Sequence, residues 1–187
     1  MALIPVSLYG VHEELMEQFF SDLPLLVEDL NDDSEYIELL YSIDGSPSIS
    51  QLNRIQSWME RPSLELHDDI EQEILAVLAR TKYPRVALIE TLLSIEDIDL
   101  MMISSWLHVL RGVYPIYDSK ACEGLRQLGL TCPFDPLDAM SYGIYVELVE
   151  ALKEHAPAGS LPEFALPRQR ILQIGLRRFA ERIIPAP

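Results

Sequence analysis

Apolar residues recur along this chain at helical spacing, in runs separated by polar, proline- or glycine-bearing joints, and no segment shows the period-two alternation of a half-buried strand. Leu15, Phe19 and Phe20 give a helix over 11–20 one apolar face, with glutamates opposite. Pro24 is read as opening a second short helix over 25–30, which the polar run Asn31-Asp32-Asp33-Ser34 ends. Ser34 caps the next helix, over 35–42, and Asp44-Gly45-Ser46-Pro47 is a turn by composition. Ser48 or Ser50 then caps a helix ending at Met59, with Leu52, Ile55, Trp58 and Met59 at helical spacing and Trp58 in the core. Segments 67–80 and 84–93 repeat the pattern with broad aliphatic faces and read as core helices.

The stretch 94–118 looks like the centre of the arrangement. It reads as the end of one helix, a tight turn at Glu96-Asp97, a buried helix over 99–110, and an X-Pro turn that brings Asp118 to the start of a helix over 119–128. Gly129 stops that helix, and Asp135 caps a long one over 137–154. A Pro/Gly/Ser loop leads to a last helix over 168–184, which carries Arg168, Arg170, Arg177, Arg178 and Arg182. The expected fold class is all-α, with nine or ten helices in a compact single domain. Residues 1–61 form an acidic N-terminal portion and 62–187 the core.

Composition sharpens this picture. The 187 residues are 49% hydrophobic and 24% charged, the balance of a globular protein with a real core. No apolar run reaches the length of a membrane span and the N-terminus lacks a leader pattern, so a cytoplasmic protein is expected. Cys122 and Cys132 have no ligand-like spacing and read as ordinary thiols. The four histidines stand far apart, His108 reads as a core residue, and neither a metal nor a cofactor is expected.

The net charge is −16, and all of the excess falls before residue 100, where 21 acidic residues face 5 basic ones. Such a surface repels phosphate and favours basic partners. Glu28, Asp29, Asp32, Asp33 and Glu35 are the candidate partner-binding acids in this half. Asp118 has a plain structural reading as a helix N-cap.

Ile95-Glu96-Asp97-Ile98-Asp99, the helix that follows, and Pro115-Ile116-Tyr117-Asp118 resemble the helix-hairpin-helix DNA glycosylase superfamily, in particular bacterial proteins similar to 8-oxoguanine glycosylase. The resemblance spans roughly 66–184 and implies a helical core. It also implies a flipped-out base and, at Asp118, the carboxylate that stabilises the cationic sugar or orients the nucleophile. In that family two hairpin glycines bring backbone N–H groups to a DNA phosphate. Asp97 and Asp99 occupy those positions here, and Met101 stands where a Schiff-base lysine would be, so lyase chemistry is not expected.

Two functions follow. In the first, a glycosylase-like scaffold has lost DNA binding and acts as an acidic interaction, inhibitor or immunity-type protein. Glu28, Asp29, Asp32, Asp33, Glu35, Asp97 and Asp99 then meet a basic protein partner, for instance in bacterial or phage defence. In the alternative, a glycosylase excises a damaged base with Asp118 as the catalytic acid and with Arg168, Arg170, Arg177 and Arg178 on the DNA backbone. Charge favours the first.

Overall fold

The computed structural model describes residues 6–42, 47–80 and 86–183. The turn expected at 44–46, the start of the helix expected at 84, and Ile184 lie outside the described residues. Within them the protein is an all-α compact domain of nine α-helices with no strand, and no helix is long and apolar enough to cross a membrane.

The first helix, α1 (Glu13–Leu26), corrects the expected break at Pro24, because it runs through the proline without interruption. Pro24 falls in its last turn, where a missing N–H costs one backbone bond, while Phe19, Phe20, Leu23 and Leu26 form one unbroken buried face. That continuous burial outweighs the local preference to stop. A single 3₁₀ turn, Leu30–Asp32, leads to α2 (Ser34–Ser42). Here the capping oxygen belongs to Asp33, which accepts the Tyr36 N–H at 2.9 Å, and Ser34 is the first helical residue. The next helix, α3 (Ile49–Trp58), has a reciprocal capping box between Ser48 and Gln51.

Two amphipathic helices follow, α4 (Asp68–Arg80) and α5 (Val86–Leu93). The buried central helix, α6 (Leu100–Arg111), is capped by Asp99 and ends at Gly112, whose φ of 66° is the left-handed conformation that closes a helix cheaply only for glycine. Beyond it lie α7 (Ser119–Gln127) and α8 (Ala139–His155). The cap of α8 is Asp138, which accepts from the Met140 and Ser141 N–H groups, whereas Asp135 holds the Leu137 N–H one turn earlier. Both aspartates can cap; the one whose two oxygens reach two amides and the Ser141 hydroxyl sets the helix start.

The last helix, α9 (Arg168–Ile183), is the axis on which the others pack. Gln169 to Leu176 are all buried. On one side α7 lies directly on it: a Cβ built on Gly124 would sit 2.4 Å from the Leu176 carbonyl oxygen. On another side α1 approaches over Gly175, where a Cβ would meet the Leu23 side chain at 2.2 Å. Phe19 meets Phe179 edge-on at 5.4 Å. One apolar cluster draws on Leu8 through Phe179, so residues from both halves of the chain share a core. Arg111 closes the far end of α6 onto the C-terminal carbonyls of α4, Leu78 at 2.8 Å and Ala79 at 3.2 Å.

Two glycines therefore give opposite expectations. Gly124→Ala should cost about 3 kcal/mol or more, since a backbone oxygen cannot move aside as a side-chain tip can. Gly143→Ala in α8, where nothing lies within 4 Å of the added Cβ, should stabilise by about 0.5–1 kcal/mol. Urea unfolding of the two variants measures both.

Candidate functional site

The site is built around a stretch of non-helical chain, 113–118, that crosses the core between α6 and α7. Tyr114, Pro115, Ile116 and Tyr117 are all buried, so each backbone group there requires a partner from within the protein. Neighbouring side chains supply four of them. Tyr142 donates to the Pro115 carbonyl at 3.0 Å and Tyr145 to the Ile116 carbonyl at 3.0 Å. Ser104 Oγ accepts the Tyr117 N–H at 2.8 Å, and the His108 ring meets the Tyr114 carbonyl at 2.5 Å. The Tyr117 hydroxyl reaches onward to the Pro133 carbonyl and accepts the Asp135 N–H, both at 3.1 Å.

The tautomer of His108 follows from its partners. A carbonyl only accepts, so Nδ1 carries the proton toward Tyr114, and Nε2 accepts the Tyr36 hydroxyl at 2.7 Å. Burial, with the Arg170 charge second, pushes the His108 pKa down to about 3. The ring is thus neutral, and it ties α6 to α2.

Arg170 is the second unusual group. It is buried, and its guanidinium lies 5.1 Å from the Tyr36 ring centre and 4.9 Å from that of Trp58. Trp58 is half-buried and stacks on Tyr36 at 5.1 Å. Arg170 NH1 donates to Gln173 Oε1 at 2.6 Å, and Gln173 Nε2 donates to Asp118 Oδ2 at 3.1 Å. A chain of contacts therefore runs from Tyr114 through His108, Tyr36, Arg170 and Gln173 to Asp118.

Asp118 itself is committed on both oxygens. Its Oδ1 accepts the Lys120 and Ala121 N–H groups at 2.7 and 3.0 Å and caps α7; its Oδ2 receives Gln173 and, at 3.5 Å, Arg177. Its side chain is 15% exposed. Asp118 borders neither the cavity beside Asp29 and Arg182 nor the one between α5 and α8. The arrangement can hold the start of α7 against α9, with an anion balancing nearby guanidinium charge.

The hairpin is closed from within. Asp99 accepts the Met102 N–H at 2.9 Å, and its two oxygens take the two terminal nitrogens of the Arg61 guanidinium end-on at 3.0 and 2.7 Å. The Leu100 N–H donates to the Pro136 carbonyl at 2.8 Å. Two amides at the start of α6 that could face an external anion therefore already have internal acceptors. At the tip Glu96 and Asp97 are exposed, and Asp97 adopts a left-handed φ of 64°, a conformation that aspartate tolerates better than most residues.

The remaining candidates scatter. Arg168 and Arg177 are exposed, Arg170 is turned into the core, and Arg178 donates to the Leu26 carbonyl at 2.7 Å and pairs with Asp29. Arg177 also lies 3.8 Å from Glu181. The arginines of α9 thus do not form one outward strip. Glu28, Asp29, Asp32 and Glu35 are exposed on the α1–α2 side, while Asp33 caps α2. Asp29 is held below the usual carboxylate range by its Arg178 hydrogen bonds, and with Glu28, Leu25 and Arg182 it borders a cavity of ≈430 Å³. Among the described residues no three His, Cys, Asp or Glu side chains converge on a metal position. Cys122 and Cys132 are buried free thiols. Hydrogen bonding to Cys132, then burial, holds the Cys122 thiol protonated.

Sequence reasoning missed Tyr36, Arg170 as a buried cation, Gln173, Tyr142 and Tyr145. Their signal was present as polar groups on otherwise apolar helix faces. Comparison with protein-family models, with curated proteins and with solved structures found no match.

Two tests follow from this geometry. Asp118→Ala should lose the α7 cap and cost about 1–2 kcal/mol, and Asp118→Asn distinctly less because asparagine also caps; urea unfolding decides. For His108 the folded pKa lies below the unfolded value of 6.5, so its contribution is complete above pH 6.5 and declines as pH falls toward about 3. His108→Gln should be less stable near neutrality yet lose less stability than the parent between about pH 6.5 and about pH 5.

Proposed function

We propose that this protein works by binding a basic protein partner through its acidic N-terminal half and hairpin tip, on a glycosylase-like helical scaffold that does not grip DNA. The hairpin carries the reading. The amide donors of Leu100 and Met102 are taken up by the Pro136 carbonyl and the Asp99 carboxylate, and the exposed tip offers Glu96 and Asp97. A phosphate approaching that turn would meet carboxylates and find these two donors engaged.

The distribution of charge supports the same reading. Specific DNA binders draw affinity from lysines and arginines that displace counterions. Here Arg170 is buried against two aromatic rings, Arg178 holds Asp29 and α1, and Arg61 holds Asp99. Glu28, Asp32 and Glu35 remain exposed on the other side of the balance. The family resemblance enters as ancestry, carried by the hairpin and the Pro115-Ile116-Tyr117-Asp118 turn. A role as an inhibitor, an immunity-type protein or a subunit of a bacterial or phage defence system fits a chain of net charge −16.

The test is fluorescence anisotropy with two labelled probes, a duplex carrying an abasic-site analogue and a lysine-rich peptide, at low salt and at about 0.2 M. The peptide should bind and weaken with salt. Exchanging Glu28, Asp32 and Glu35 for their amides should weaken it several-fold, and the duplex should not bind. Saturable duplex binding, lost with salt and accompanied by base excision that Asp118→Asn abolishes, would reverse the assignment in favour of a single-carboxylate glycosylase.

A further inference from the structure

Apart from the hairpin and the N-terminal acids, one face of α8 breaks the rule by which apolar residues are buried here. Leu137, just before the helix, is 67% exposed, Met140 59% and Ile144 37%. With Glu147 they step by three, four and three residues, so they form one ridge along the solvent side of α8. Beside the ridge a cavity of ≈290 Å³ lies between α5 and α8, bordered by Ile89, Met140, Gly143, Ile144 and Glu147. Gly143 leaves its floor open, since nothing lies within 4 Å of where its Cβ would be. The volume lies at the small end of ligand pockets and suits individual apolar side chains better than a whole cofactor.

Among the described residues, the charges named around this face are acidic. Among the described residues lining the cavity the charged one is Glu147. Exposed Glu90 follows Ile89 on α5, and exposed Asp135 precedes Leu137. The Leu100 N–H to Pro136 bond brings the hairpin loop, with exposed Glu96 and Asp97, against the same end. An apolar ridge and slot with an acidic rim complements an amphipathic helix that bears leucine-like residues on one side and lysine or arginine beside them. A second copy of this chain is disfavoured, because it would set the same acidic rim, and a net charge of −16, against themselves.

We propose that the α5–α8 groove is the docking site for a basic amphipathic helix of the partner, with Met140 and Ile144 as apolar contacts and Gly143 as the point of closest approach. The inference rests on the basic-partner reading above and assigns it a specific surface. Methionine suits such a contact because its unbranched side chain repacks around different apolar residues.

The experiment uses the full chain and three labelled peptides: an amphipathic helix of leucine and lysine with leucine at i, i+3, i+4 and i+7, a scramble of the same composition, and the amphipathic peptide with glutamate for lysine. The amphipathic lysine peptide should bind about tenfold or more tightly than its scramble. Gly143→Leu, which fills the slot from a position with free space around it, should remove that preference while leaving the melting temperature unchanged or higher. Amide chemical-shift changes on titration should centre on Met140, Gly143, Ile144 and Glu147. Equal binding of both lysine peptides, a preference untouched by Gly143→Leu, shifts confined to α1 and α2, or equal binding of the glutamate peptide would each overturn the groove assignment. Self-association of the protein alone in sedimentation velocity, abolished by Gly143→Leu, would assign the face to a second copy and overturn it too. Failure of every lysine peptide to bind at low salt would remove the basic-partner reading along with it; scramble and amphipath binding alike would remove the groove alone.

Discussion

The requirement that shapes this protein is the pairing of backbone groups in an extended segment that passes through a helical core. Helices satisfy their own N–H and C=O groups, but 114–117 is buried without that provision. An unpaired buried carbonyl or amide costs on the order of 1–3 kcal/mol, so leaving this segment unserved would consume much of a domain's net stability. The consequence is a set of polar side chains placed where helix faces would otherwise be apolar: Ser104 and His108 on α6, Tyr142 and Tyr145 on α8. Each engages one backbone atom of the segment. Together they fix the segment's register, and with it the position at which Asp118 starts α7.

The same solution links the acidic half to the rest. Once His108 donates to the Tyr114 carbonyl, its other nitrogen is an acceptor in the core and must find a donor; Tyr36 of α2 provides it. The Tyr36 ring then carries Trp58 on one contact and the Arg170 guanidinium on another. Arg178, two turns further along α9, holds the end of α1 through the Leu26 carbonyl and Asp29. Basic residues that look in the sequence like a strip for phosphate are thus partly spent in holding an acidic segment to its own core. What remains exposed is correspondingly more acidic than a bare count of arginines suggests.

Much of the architecture was legible from periodicity and turn chemistry. The helical class, the buried α6, the Asp118 cap and the Ser48 cap all follow from local rules that tertiary contacts did not override. Pro24 was misleading for a physical reason: a proline in the last turn removes one bond, and the buried face from Phe19 to Leu26 restores more than that. The caps of α2 and α8 moved by a residue or more because several candidates stood in a row and geometry alone chose between them. The candidate site was less legible. Nothing local distinguishes Arg170, buried on aromatic rings, from Arg177, exposed on the next turns, and the partners of Tyr142 and Tyr145 lie 27 and 29 residues away in the chain. Long-range pairing of this kind leaves no period in the sequence.

The turn at 95–99 joins a residue in the left-handed region to a capped helix start and carries an acidic tip. A turn of this shape needs one residue in the left-handed region and a helix start behind it. Asp97 keeps the first at φ 64°, and Asp99 keeps the second by capping α6. Arg61 pairs with Asp99, so the helix start is satisfied from within, while Glu96 and Asp97 lie exposed at the tip. An aspartate held in a left-handed conformation at an exposed tip gains nothing from burial, and glycine would adopt that φ with less strain. A carboxylate at this place is therefore understandable if its charge is used, and the neighbouring apolar ridge of Leu137, Met140 and Ile144 supplies the contact area that charge alone does not. In the proposed complex, steering by the acids and anchoring by the ridge would be two parts of one encounter with a basic helix.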